Sequence, residues 1–363
     1  MPPPLLDVAD LSIRFPARSE DGEAGRARRP PPPYDVVRGV SFTVERGEFV
    51  GLVGESGSGK SLTALAILGL VPPPGEVVGG RVLLDGRDLL GLEERELRAV
   101  RGARIGLVFQ EPMAALNPVL TLETQITEAV RAHRRDGRRV TSRAARARAL
   151  DLLELLAIPD PVRRLRSYPH QLSGGQRQRA MLAIALAAGP ELLIADEPTT
   201  ALDVTLQAQV LELLERLRRE LGLAILLITH DLAVVAESCD RVLVLYAGEV
   251  MEAASSERLF AQPGHPYTRA LLASIPVLGR PAPRGELPAI PGQVPAADRL
   301  PSGCVFHPRC PARIERCTEV HPPWVVLTPG GEAPGSAAAS ASYAHGARCL
   351  RLPELLGARE LGA

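Results

Sequence analysis

Phe49-Val50-Gly51-Leu52-Val53-Gly54-Glu55-Ser56-Gly57-Ser58-Gly59-Lys60-Ser61 decides the fold. A nearly continuous apolar run, as expected of a strand buried on both faces, leads into a full match to G-x-x-x-x-G-K-[ST], with a helix predicted from about Lys60. The glycines let the backbone curl so that successive N–H groups point inward. Together with the helix N-terminus these groups form an anion nest suited to phosphates. Lys60 then reaches the β- and γ-phosphates as a compact point charge, and the Ser61 hydroxyl coordinates Mg2+. Among 42 lysines and arginines Lys60 is the only lysine, and it stands in the one motif where arginine serves badly.

Upstream, residues 5–15 read as a strand, and residues 40–53 as two strands joined at Arg46-Gly47. Residues 17–34, with the run Pro30–Pro33, look like a solvated insertion. Downstream, residues 104–109 form a short strand, and residues 121–157 are mainly helical. The arginines between Arg131 and Arg148 suit a solvated face or contacts with a partner. Two strand-then-helix units follow: Leu192–Ala195 with Val204–Leu221, and Leu223–Thr229 with Asp231–Glu237. This alternation predicts an α/β fold around a mostly parallel sheet covered on both faces. After about residue 262 prolines become frequent and residues 330–342 are of low complexity, which marks a small C-terminal domain.

Leu192–Ala195 ends in Asp196-Glu197. At the end of a buried strand Asp196 can hold Mg2+ through a water, and Glu197, pointing differently, can polarise an attacking water as general base. Leu172-Ser173-Gly174-Gly175-Gln176 precedes a helix, so Ser173 and the glycine N–H groups make a second anion site. One chain does not need two γ-phosphate sites for one ATP. A head-to-tail dimer, each segment closing on ATP held by the other protomer, explains both.

With these motifs in order, residues 5–260 resemble the ABC ATPase family. The resemblance implies an ABC-type P-loop NTPase with a mostly parallel central sheet, an antiparallel β subdomain, a helical subdomain over about 111–189 and a small cysteine-containing extension. It implies an ATP-hydrolysing enzyme in which Gly54, Glu55, Ser56, Gly57, Ser58, Gly59, Lys60 and Ser61 hold the phosphates. Ser173, Gly174, Gly175 and Gln176 face the partner's nucleotide. Gln110 senses Mg2+ and the attacking water, with Ser61 and Asp196 as the other Mg2+ residues. The Thr200–Asp203 loop communicates across the dimer through Asp203, and His230 contacts the γ-phosphate beside Glu197. Family members stack the adenine on an upstream aromatic, here Phe15 with Tyr34 as its rival.

Within the family, GESGSGKS, QEPMAALNP, ADEPTTALDVTLQAQ and His265-Pro266-Tyr267-Thr268 resemble ATPases of oligopeptide and dipeptide importers, of the first-subunit type. Members of that branch also import nickel or sugar derivatives. The implied domains are 1–262 for the ATPase and 263–363 for the extension. The implied partners are two membrane permease subunits contacted through Glu111–Pro118, a second ABC ATPase that is different or identical, and an extracytoplasmic solute-binding protein. That places the chain on the cytoplasmic face of the membrane. Cys304, Cys310, Cys317 and Cys349 suit a [4Fe–4S] cluster, zinc or free thiols by chemistry, and similar subfamily members carry the cluster. His307 and His321 are read as ordinary loop residues, and Cys239 stands apart.

The net charge of zero gives no reason to expect a nucleic-acid partner. MPPPLLDVAD lacks the pattern of a signal peptide, and no apolar run reaches the roughly 18 residues of a membrane span, so a reducing, cytosolic setting is expected. A soluble ABC ATPase of DNA repair or translation would usually carry coiled coils or tandem cassettes. An exporter ATPase would lack the His265–Thr268 extension.

Overall fold

A computed structural model describes residues 3–17, 32–109, 115–135, 138–200, 203–275, 289–328, 331–334, 345–352 and 354–355. The strands are β1 (Leu6–Phe15), β2 (Tyr34–Val44), β3 (Phe49–Val53), β4 (Glu76–Leu84), β5 (Arg87–Asp88), β6 (Ile105–Val108), β7 (Arg134–Arg135), β8 (Arg138–Arg139), β9 (Leu192–Asp196), β10 (Ala224–Thr229), β11 (Arg241–Tyr246), β12 (Glu249–Ser255), β13 (Val325–Thr328), β14 (Gly331–Pro334) and β15 (His345–Ala347). The helices are α1 (Lys60–Ile67), α2 (Glu94–Val100), α3 (Leu122–Ala132), α4 (Ser142–Leu155), α5 (Pro161–Leu165), α6 (Gly174–Ala185), α7 (Val204–Leu221), α8 (Leu232–Ser238), α9 (Ser256–Ala261) and α10 (Pro266–Ala273). Contacts divide the chain into two compact units: Met1–Thr43, Val50–Leu90 and His230–Ala363 form one, Val44–Phe49 and Gly91–Thr229 the other.

The first unit contains an antiparallel sheet in the order β2-β1-β4-β5. β1 and β4 pair from Leu6↔Leu84 to Arg14↔Glu76, with a register shift between Ala9 and Ser12 where Asp10 turns to φ 52. In the same unit β3 runs parallel to β11, from Val50↔Arg241 to Val53↔Val244. Every residue of both strands is buried. A Cβ on Gly51 would lie 2.9 Å from Val235 Cγ1 and 3.1 Å from Cys239 Sγ, so glycine is what lets α8 approach β3.

β12 pairs antiparallel with β11, then β15, β13 and β14 extend the row antiparallel. The contacts group residues on both sides of position 262 in one unit. The physical reason is the open edge of β12: Glu252↔Ala347 and Ala253↔Gly346 satisfy backbone groups that an edge would leave unpaired. β4, β11 and β12 lie outside the strands predicted from sequence. Of the expected insertion, residues 18–31 lie outside the described residues, as do 330 and 335–342 of the low-complexity stretch.

The second unit holds three parallel strands in the order β10-β9-β6. Ala224–Ile228 align with Leu192–Asp196, and Ile105–Val108 with Leu192–Ala195. α3, α4, α5 and α6 pack on one another beside them. Their starts are written locally: the Thr121, Thr141 and Ser173 hydroxyls accept from the N–H groups of Thr124, Ala144 and Gln176. α7 is capped by Asp203 at its start and by Gly222, at φ 64, after its end, and it buries Val210, Leu211, Leu213, Leu214 and Leu217 on one stripe. Each such side chain stabilises by roughly 1.5–3 kcal/mol on transfer from water. Part of the arginine cluster is committed: Arg146 pairs with Glu123 at 3.0 Å, and Arg148 donates to the Leu186 carbonyl at 3.4 Å. Among the described residues no helix is long and apolar enough to cross a membrane.

Candidate nucleotide site

The loop after β3 has the curled shape its sequence predicts. A Cβ on Gly54 would fall 2.1 Å from the Leu245 carbonyl oxygen and 2.9 Å from Ser58 Oγ, so this backbone approach needs glycine. Gly59, at φ 101, is the residue that turns the chain into α1. Gly248 N–H donates to the Ser58 carbonyl at 2.9 Å and ties the loop to the turn between β11 and β12. Lys60 is 5% exposed, and its Nζ donates to the carbonyls of Gly54 at 2.8 Å and Glu55 at 3.0 Å. Ser56 and Gly57 are exposed and Ser61 is half-buried. A cation over a glycine turn at a helix start is the electrostatic arrangement that binds phosphate.

The second unit carries the acid pair. Asp196 ends β9, half-buried. Glu197 turns to φ 46, donates its N–H to the Ile228 carbonyl at 2.9 Å and accepts from Thr200 Oγ1 at 2.8 Å. The hydrogen bond from Thr200 orients the Glu197 carboxylate. Ser173 and Gln176 form a reciprocal capping box at the start of α6. Gly174 has open space where a side chain would be, while a Cβ on Gly175 would meet Leu206 at 3.2 Å. Asp203 Oδ1 accepts from Leu206 N–H at 2.9 Å, so its carboxylate caps α7. His230 follows β10 and is exposed. Gln110, Ala201, Leu202 and residues 111–114 of the expected permease-contacting loop lie outside the described residues.

Phe15 and Tyr34, the two rivals for the adenine, stand together: their rings stack at 6.4 Å with planes 20° apart. Phe15 also lies so close to Gly75 that a Cβ there would be 2.4 Å from its ring.

In the C-terminal part of the first unit, the Glu252 carboxylate is fully buried and accepts from the N–H groups of Gly264 at 2.6 Å and His265 at 2.9 Å and from His345 Nε2 at 2.6 Å. Burial alone would raise its pKa, but the hydrogen bond and charge of His345, with help from Thr268 and Gly264, hold it below the ordinary range. Burial pushes His265 down to about 4, so the ring is neutral at physiological pH, and its Nδ1 accepts from the Tyr267 N–H at 3.0 Å. The histidines read as loop residues have partners: His321 Nε2 is 2.9 Å from Glu249, and His307 Nδ1 is 3.0 Å from the Cys304 carbonyl oxygen.

The C-terminal cysteines are free thiols, Cys304 and Cys317 buried and Cys310 and Cys349 half-buried. Burial first, then Cys317, Cys349 and Cys310, push Cys304 up to about 12 against a hydrogen bond from the Phe306 backbone. Burial lifts Cys349 to about 11 and raises Cys310. Among the described residues no group of three or more His, Cys, Asp or Glu is placed to hold a metal ion.

Comparison with known proteins decides the family. Residues 37–200 match the family model described as ABC transporter, and residues 251–317 match that of the oligopeptide/dipeptide transporter C-terminal region. The chain is 51% identical over 327 residues, 90% of its length and 92% of the relative's, to the probable peptide ABC transporter ATP-binding protein y4tR of Sinorhizobium fredii. The chain belongs to the ABC transporter ATP-binding proteins. This ABC ATPase is also 45% identical over 326 residues, covering 90% of it and 94% of the relative, to the dipeptide transport ATP-binding protein DppD of Escherichia coli. Among solved structures it resembles a dimeric bacterial ABC transporter cassette with a TM-score of 0.56 and 30% identity, covering 69% of this chain and 98% of that one. The expected fold and the ATP-hydrolysing activity are those of the family.

Sequence reasoning missed two residues that touch the phosphate loop: Tyr267, noted only within its motif, and Arg309. The only sequence signal for Arg309 is its place beside Cys310.

Proposed function

We propose that this ABC ATPase powers the uptake of peptides through membrane permease subunits, as a peripheral subunit on the cytoplasmic face of the membrane. The observation that carries this reading is the match of residues 251–317 to the oligopeptide/dipeptide transporter C-terminal region, together with relatives named as peptide and dipeptide transport ATP-binding proteins. In this reading Lys60 and the loop Gly54–Ser61 hold the phosphates, and Ser61, Asp196 and Gln110 serve Mg2+. Glu197 polarises the attacking water, His230 steadies the γ-phosphate, and Ser173–Gln176 with Asp203 act toward a second ATPase, different or identical. Phe15, stacked on Tyr34, receives the adenine. A binding protein outside the membrane delivers the cargo.

The test is uptake in cells whose chromosomal copy carries Glu197→Gln. Uptake of radiolabelled di- and oligopeptides should fall to background while nickel accumulation is unchanged. Intact peptide uptake with lost nickel uptake would move the assignment to nickel.

The thiols of Cys304, Cys310, Cys317 and Cys349 are the donor type that binds a [4Fe–4S] cluster, and this chemistry alone supports the reading, since among the described residues no group of three or more is placed to hold a metal ion. When bound, the cluster would supply a redox-active or structural centre. Protein purified without oxygen should contain about four irons and four sulfides per chain. Zinc alone, or no metal, would end the cluster reading.

A further inference from the structure

Glu55, the second residue of the phosphate loop, has every polar group of its own engaged. Its carbonyl oxygen accepts from Lys60 Nζ at 3.0 Å. Its N–H donates to the Tyr267 hydroxyl oxygen at 3.0 Å. Its carboxylate receives a two-pronged ion pair from Arg309, with Nη1 2.6 Å from Oε2 and Nη2 2.9 Å from Oε1. Two of these three partners come from the segment that follows α9, more than two hundred residues away in sequence.

Arg309 is itself fixed. Its side chain is 5% exposed, Nε donates to the Pro291 carbonyl at 2.8 Å, and Nη2 also reaches the carbonyls of Ile290 and Gly292 at 3.4 Å. Its guanidinium lies 5.8 Å from the centre of the Tyr246 ring, whose hydroxyl it also contacts at 3.4 Å. Tyr267 is fully buried and packs with Tyr246 at 4.7 Å and Phe306 at 5.2 Å between ring centres. A bidentate guanidinium–carboxylate pair fixes direction as well as distance, and its donor is locked before it reaches the loop.

We infer that Arg309 and Tyr267 are positioning residues for ATP binding: they hold Glu55 so that its carbonyl sets the place of Lys60 and the first turn of the phosphate loop keeps its shape. Their hydrogen bonds to the loop go to Glu55. They act through Glu55, and they give the C-terminal segment a direct physical effect on nucleotide affinity. The inference rests on the reading of Gly54–Ser61 as the nucleotide loop.

The experiment is ATPase kinetics and direct Mg-ATP titration on the purified full-length chain and its variants. Arg309→Gln should raise the ATP KM and Kd about tenfold with kcat changed less than about threefold, as expected when a charge-assisted hydrogen-bonded pair is lost. Arg309→Lys should recover part of the affinity. Tyr267→Phe, which keeps the packed ring and removes one oxygen, should raise KM by about threefold. In a Glu55→Gln background, Arg309→Gln should add little, because both changes break the same pair. Unchanged affinity in Arg309→Gln and Tyr267→Phe, or fully additive losses with Glu55→Gln, would overturn the inference. Should Arg309→Gln fail to fold, Tyr267→Phe and Glu55→Gln decide the matter. Lys60→Ala separates the two levels: if it also leaves affinity intact, the loop reading itself fails. If it abolishes binding while the other variants do not change it, only the positioning role fails.

Discussion

The phosphate loop Gly54–Ser61 and the segment Leu172–Gln176 look alike in sequence, glycine-rich turns that open helices, yet the molecule treats them differently. At Gly54 a backbone carbonyl occupies the place of a side chain, Gly59 needs φ 101, and Lys60 folds over the turn. Leu172–Gln176 contains no such strain. Ser173 and Gln176 satisfy each other in a capping box and Gly174 has open space around it. The first is a loop shaped by its own fold and held from outside by Tyr267 and Arg309. The second is an ordinary helix start with an exposed face, the form expected of a surface whose ligand arrives on another molecule. A glycine motif can therefore mark a backbone that must bend or a surface that must stay clear, and only the surroundings tell which.

The sharpest way to break this contrast is a matched pair of substitutions. Gly54→Ala should destabilise by about 3 kcal/mol or more and abolish ATP binding, because the added methyl meets fixed backbone. Gly174→Ala should change stability by less than about 0.5 kcal/mol, yet lower turnover in the assembled transporter. Thermal melts and ATP hydrolysis by both variants check this, and full turnover in Gly174→Ala would remove the segment from the nucleotide site.

A smaller effect separates capping from ligand binding at Ser173. Aspartate caps a helix as well as serine does, so Ser173→Asp should melt like the wild type, while its charge repels phosphate and turnover falls. Ser173→Ala should lose about 1 kcal/mol of stability. If Ser173→Asp hydrolyses ATP normally, the hydroxyl is a cap and nothing more.

A last effect, graded by pH, concerns the support behind the loop. His265 has a folded-state pKa of about 4, below its ordinary value near 6.5, so the unfolded chain takes up the proton first. Stability is thus full above pH 6.5 and falls as pH drops toward 4, by a few kcal/mol at most. Glu249 and Glu252, whose pKa values are lowered by partners despite burial, add their losses only at more acid pH, below their ordinary range. Melting of His265→Asn should show a shallower slope between pH 6.5 and 4.5 than the wild type. Equal slopes would show that the ring's burial does not govern the acid response.

Much of this was legible beforehand because it is local. A strand that ends at Val53, a carboxylate pair after Leu192–Ala195 and a helix from Val204 to Leu221 are written in runs of neighbouring residues, and short-range sterics and burial enforce them. β11 and β12 were not predicted: β11 is buried along its whole length, so its residues show no alternation to mark one face.

The sequence by itself determined the phosphate loop, the acidic strand end and the family. Each depends on residues within a few positions of one another, where backbone geometry leaves few alternatives. Only the tertiary structure decided that β15 completes the edge of β12, that Thr200 orients Glu197, that Phe15 and Tyr34 share one stack, and that Arg309 grips Glu55. Apart from the short-range turn at Thr200, these are meetings of distant residues, fixed by which surfaces must be buried and which hydrogen bonds must be satisfied once the chain has folded.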